Sequence, residues 1–196
     1  MIREQRELEE KLRKDEEIRG AKSAEELRRR EIQEPGKFSF DDSSDTLILA
    51  KTIFCEGEEA WEHPNYMRYI GFTPVVRSYL SGEPIKQIVS HKFESKKTGS
   101  LTYAYTFFNP SSSRRLFFDN PLRESKKYPE EIDAWQKAYR ISEEILNTPS
   151  GEIDPELTHF YVDTVNEPRW AKGKKPKEVI KYKGKTTRFY YIPENA

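Results

Sequence analysis

Glu56 closes the run Leu47-Ile-Leu-Ala-Lys-Thr-Ile-Phe-Cys55 and is followed by Gly57. A carboxyl group carried on the end of a buried helix loses part of its hydration, which raises its pKa and lets it hold a proton near neutral pH. That is the property a general acid needs. Taken alone, the segment reads more readily as a solvated acidic helix end. Cys55 is the sole cysteine, so the chain has no internal disulfide and no Cys pair for a metal site. Its apolar surroundings suit a small buried hydrophobe, with a nucleophile beside Glu56 as the alternative. His63, His91 and His159 form no HxxxH pattern, and no metal or cofactor is expected. Ser111-Ser-Ser113 lacks the strand–turn–helix setting of a nucleophile elbow. Nine glycines form no phosphate-binding loop. Three Trp, eleven Tyr and eleven Phe remain. Aromatic faces stack on the C–H faces of sugars, and aromatics around one protonated carboxyl suit glycoside cleavage.

The elements that must position these groups follow from pattern. Ser43, Ser44 and Asp45 are helix-opening residues, and the nearly all-round apolar surface from Leu47 to Cys55 predicts a helix inside a core, with Gly57 as its stop. Tyr69 to Leu80 has helical spacing despite Pro74, and Ile85 to Val89 a short helix. Leu101 to Phe108 alternates as a strand. Glu130 to Asn147 is an amphipathic helix with Trp135, Ala138, Tyr139, Ser142, Ile145 and Leu146 on one face. Thr158 to Val162 is a short extended piece, Glu167 to Ala171 a turn, and Val179 to Ile192 a hairpin about Lys183-Gly184.

The 196 residues divide into a charged helical arm, 1–36, and one domain, 37–196. The arm's residues 1–35 hold 10 Lys/Arg and 11 Asp/Glu, and 2–33 read as one long exposed helix with favourable i,i+4 pairs such as Glu10–Lys14 and Glu25–Arg29. It is either a solvated helix or a docking arm for another protein of an assembly. Phe38 and Phe40 are expected to tuck against the domain. Net charge is zero, so nothing draws the chain to nucleic acid or membrane. A basic, aromatic tail with nine Lys/Arg between Arg169 and Arg188 lacks any RNA-binding motif, and no nucleic-acid partner is expected. No run approaches the ~20 apolar residues of a membrane span. The charged N-terminus predicts synthesis in the cytoplasm without a signal peptide.

Five segments in one order resemble the SleB-like cell wall hydrolases, the family of spore-cortex-lytic enzymes and phage lysins. Leu49-Ala-Lys-Thr-Ile-Phe-Cys-Glu-Gly-Glu58 is similar to that family's L-A-R-x-x-Y-G-E-A-R helix. Ile70 to Leu80 with Lys92-Phe-Glu-Ser95, Ala134-Trp-Gln-Lys-Ala138, Asp154-Pro155 with Thr158-His-Phe-Tyr161, and Val165-Asn-Glu-Pro-Arg-Trp-Ala-Lys172 with Arg188-Phe-Tyr190 follow. The resemblance covers roughly residues 45–191. Gly57-Glu-Glu-Ala-Trp61 replaces the family's A-R-G-E, residues 96–131 look like an enlarged insertion, and Thr187 stands where a histidine is common.

The resemblance implies an α+β, mainly helical, lysozyme-like domain with a small C-terminal β-hairpin, preceded here by the long exposed helix. It implies lytic transglycosylase action on peptidoglycan, between N-acetylmuramic acid and N-acetylglucosamine, with Glu56 as the single acid and base. Thr158, His159 and Tyr161 would line the cleft opposite Glu56, with Phe93, Ser95 and Trp170 as further sugar-contacting or framework residues; core packing is the other reading of Tyr161 and Trp170. The protein would act on the wall as part of a virion or after lysis, with residues 1–36 docking it in a phage-like particle. The alternatives are a structural assembly protein that keeps an inactive fold and an N-acetylmuramoyl-L-alanine amidase.

Overall fold

The computed structural model describes residues 2–57, 60–63, 65–94, 101–109, 112–163 and 167–193; of residues 2–8, 15, 93, 94, 101, 102 and 106 it describes the backbone alone. The fold is α+β. Helix α1 (Ile2–Gln33) leads into α2 (Asp45–Gly57), α3 (Tyr66–Ser81) and α4 (Ile85–Ser90). Strands β1 (Lys92–Glu94) and β2 (Leu101–Tyr103) pair antiparallel, and α5 (Arg115–Asp119) and α6 (Glu130–Leu146) follow. Strands β3 (His159–Val162), β4 (Glu178–Tyr182) and β5 (Lys185–Tyr190) make an antiparallel sheet in the order β3-β5-β4.

Helix α2 is the axis of the molecule. The Ser44 hydroxyl accepts the Leu47 N–H at 3.0 Å, so Ser44 is its N-cap. Leu47, Ile48, Leu49, Ala50 and Ile53 are fully buried, and α3, α4, α5 and α6 all pack around them. The polar positions are buried too: Thr52 donates back to the Ile48 carbonyl at 2.9 Å, and Lys51 is 2% exposed. α3 comes close because it has Gly71, where a Cβ would sit 2.6 Å from Ile145 Cδ1 and 2.7 Å from Ile53 Cδ1. Gly57 is the last residue of the helix, without a positive φ, and is buried against Met67.

Residues 101–118 do more than decorate the domain. Tyr105, Phe107, Phe108 and Phe118 form a second core on the Ile48–Cys55 face of α2, with Phe40 packed against it. Phe107 stacks on Phe118 at 4.7 Å, and Phe40 meets Phe108 edge-on at 5.4 Å. The strand expected over Leu101–Phe108 ends at Tyr103, and Thr106–Phe108 is a 3-10 turn. Alternation misleads here because Tyr105, Phe107 and Phe108 all enter the core, which a flat strand does not permit.

The expected hairpin forms about Lys183 and Gly184, whose φ values of 46° and 79° suit a tight turn matching the strand twist. It is more than a hairpin: β3 joins its β5 edge, with His159 opposite Tyr190 and Tyr161 opposite Arg188. Helix α1 is solvent-exposed over its described side chains from Glu9 to Leu27, where Glu10 pairs with Lys14, while Glu25 pairs with Arg28 rather than Arg29. Its last two turns are held on the domain. Arg28 grips Glu143 through two bonds of 2.6 and 3.1 Å, and Trp135 donates to the Ile32 carbonyl at 2.9 Å. Glu31, 2% exposed, accepts the Tyr139 hydroxyl at 2.6 Å and the Ser44 hydroxyl at 2.9 Å.

Candidate active site

Glu56 ends α2 beside a cleft of about 610 Å³. Its side chain is 11% exposed, and the guanidinium of Arg114 approaches its Oε2 at 3.9 Å. Arg114 also donates to the Cys55 carbonyl at 3.1 Å, which ties the turn before α5 to the C-terminal end of α2. A guanidinium there meets the negative end of the helix dipole. Cys55 is buried, with its thiol toward the Arg114 carbonyl at 3.8 Å, as a small core residue is placed.

Across the cleft stand Thr158, His159 and Tyr161, with Trp170 beside them. Thus five of the residues singled out in the sequence line one cavity, although about a hundred positions separate Glu56 from the rest. Strand β3 explains the grouping: His159 and Tyr161 are two apart and share a face. Trp170 lies 5.1 Å from the His159 ring and 5.9 Å from that of Tyr161, and Tyr161 stacks on Tyr190 at 5.8 Å. The result is an aromatic wall. Phe93 lies on β1, its side chain outside the described residues, and Ser95 is outside them altogether.

Thr158 holds this wall in place. Its hydroxyl accepts the Ile192 N–H at 2.8 Å, lies 3.1 Å from the Tyr190 carbonyl, and is 3.0 Å from His159 Nδ1. Burial, helped by the positive charges of Arg77 and Lys174, lowers the His159 pKa to about 4. The imidazole is therefore neutral at ordinary pH, and its bond with Thr158 orients the ring.

Glu56 and Arg114 also line a smaller pocket of about 80 Å³ on the sheet side. There Thr187, buried, donates to the Tyr66 hydroxyl at 3.2 Å. Burial raises the Tyr66 pKa, and the charge of Glu56 adds to the rise. Glu56 is the one carboxylate among the described residues lining either pocket. Arg77, Tyr105 and Arg114 line the main cleft but carry no signal in the sequence: Tyr105 and Arg114 sit in irregular chain, and Arg77 looks like any polar position of a helix. Among the described residues no three His, Cys, Asp or Glu side chains are grouped as metal ligands, and no helix is long and apolar enough to cross a membrane. Comparison of the chain with protein-family models, with curated proteins and with solved structures finds no match.

Proposed function

We propose that this protein is a peptidoglycan-cleaving glycosidase of the lytic transglycosylase type, with a lysozyme-like domain and Glu56 as its acid and base. One observation carries the reading: a sparingly exposed glutamate at the end of the central helix shares a cleft with His159, Tyr161 and Trp170. Glu56 protonates the glycosidic oxygen between N-acetylmuramic acid and N-acetylglucosamine. As carboxylate it then takes the proton of the muramoyl 6-hydroxyl, which closes a 1,6-anhydro ring. This route needs one carboxylate rather than the usual pair. Tyr161 and Trp170 stack on sugar faces, and neutral His159 offers a hydrogen bond to them. The exposed part of α1 docks the enzyme on a component of a phage-like particle.

A second reading, an assembly protein that keeps the fold without the activity, is favoured by Arg114, whose guanidinium stands 3.9 Å from Glu56 as an ion-pair partner. Zymography decides between them. Purified full-length protein in gels containing Gram-negative or Gram-positive walls is expected to clear one of them. A folded, clean preparation that clears neither supports the assembly protein.

A further inference from the structure

The wall of the main cleft contains polar groups for which acid catalysis at Glu56 has no use. Arg77, on α3, lines the cleft and makes no ion pair among the described residues. Tyr105 is 4% exposed, lines the same cleft, and its hydroxyl has no hydrogen-bond partner among the described residues. The Arg77 guanidinium approaches that hydroxyl, but not in hydrogen-bonding geometry. Its charge also acts on His159. A buried hydroxyl left unsatisfied is destabilising by about 1–3 kcal/mol, and a native structure keeps one where something else completes it.

We propose that Arg77 and Tyr105 form a carboxylate subsite beside the sugar-binding wall, taking the acidic substituent of the muramoyl residue next to the scissile bond. The inference rests on the peptidoglycan reading above and names the part of the polymer that reading leaves open. Arg77 presents a planar fork that matches a carboxylate, and the Tyr105 O–H donates to one of its oxygens. His159 is neutral, lies 5.1 Å from Trp170 and feels the charge of Arg77, so it adds a hydrogen bond without adding charge. Glu56, whose charge also reaches Tyr105, keeps Arg114 as its own cation. Two parts of the wall supply such a carboxylate: the lactyl group of a muramic acid stripped of its peptide, and the free carboxylates of an attached stem peptide.

Titration calorimetry on the full chain carrying Glu56→Gln, which blocks turnover, distinguishes them. The probes are a glycan fragment with stem peptides, the same fragment with peptides removed, and the first fragment with its carboxylates amidated. The fragment that presents the bound carboxylate, the acidic stem or the stripped lactyl group, is expected to bind about tenfold more tightly than the amidated fragment. Arg77→Gln should erase that difference while leaving the amidated fragment's affinity as it was. Tyr105→Phe should weaken the acidic fragment alone, by about threefold, with no fall in Tm because it removes an unsatisfied group. Tight binding of the stripped fragment assigns the lactyl carboxylate; tight binding of the peptide-bearing fragment alone assigns the stem. Equal affinities for all three probes, or equal weakening of all three by Arg77→Gln, overturn the subsite. Wall cleavage by the wild type with no such discrimination overturns the subsite alone, whereas absence of both cleavage and fragment binding overturns the peptidoglycan reading with it.

Discussion

At the scale of single residues, the cleft is held by groups whose bonds are already committed. The Thr158 hydroxyl serves the Ile192 N–H and the His159 ring together, in a buried place. Thr158→Val keeps the shape but leaves that N–H without an acceptor, so a loss of about 1–3 kcal/mol is expected in urea unfolding. An unchanged midpoint would mean the hydroxyl is dispensable. His159 adds a pH dependence whose sign is fixed by its environment. Its folded pKa, about 4, lies below the ordinary 6.5, so the unfolded chain takes up the proton first. The stability present above pH 6.5 is therefore lost as pH falls toward 4, by about 2 kcal/mol. His159→Gln should flatten this part of the stability curve, and an equally steep curve in the variant would assign the dependence to other groups. The placement of Glu56 near the end of a buried helix is legible in the sequence because an apolar run ending in an acid has a physical meaning. Arg114 is not legible, since its relation to Glu56 exists only once the turn before α5 closes over the end of α2.

Among the elements, α2 sets the terms for the rest, and its buried polar positions are where its stability is open to improvement. Lys51 is 2% exposed, has the Asp119 carbonyl at 3.5 Å as its acceptor, and lies over the Phe118 ring. Burial lowers its pKa to about 8, with Asp119 opposing. Below that pH the chain must hide a charge, so Lys51→Met should stabilise the protein at pH 7, by about 1–2 kcal/mol in thermal melts. A fall in Tm would show that the contacts of the ammonium outweigh its burial. Gly71→Ala tests the opposite case. The new methyl collides with Ile53 and Ile145 in a filled core, and a cost of about 1–2 kcal/mol is expected. α2, α3, α6 and the β4–β5 hairpin are all visible in the sequence because each carries a long apolar period or a strong turn signal. The second core is not. Tyr105, Phe107, Phe108 and Phe118 come from short irregular pieces whose order is imposed by packing on α2 rather than by local preference.

Across the whole molecule, the arm and the domain meet at the last two turns of α1. Glu31 is bonded to Tyr139 and Ser44, and Ser44 caps α2, so the arm's end is linked to the helix that bears Glu56. Removing residues 1–24, whose described side chains are exposed, should leave Tm unchanged. Removing residues 1–36 strips Glu31 and Ile32 from the domain and should lower Tm by several degrees. Equal Tm for the two truncations would contradict the anchoring. Composition separates the arm from the domain, yet a buried glutamate within a run of charged residues looks like its neighbours until Tyr139 is brought to it. The central claim concerns what Glu56 does in the cleft that these elements form. Digestion of purified sacculi by the full-length protein, followed by mass spectrometry of the soluble products, tests it most directly. Muropeptides ending in 1,6-anhydro-muramic acid are expected, with release reduced by at least about a hundredfold in Glu56→Gln. Reducing muramic ends, free stem peptides, or release by the variant at the wild-type rate would contradict it.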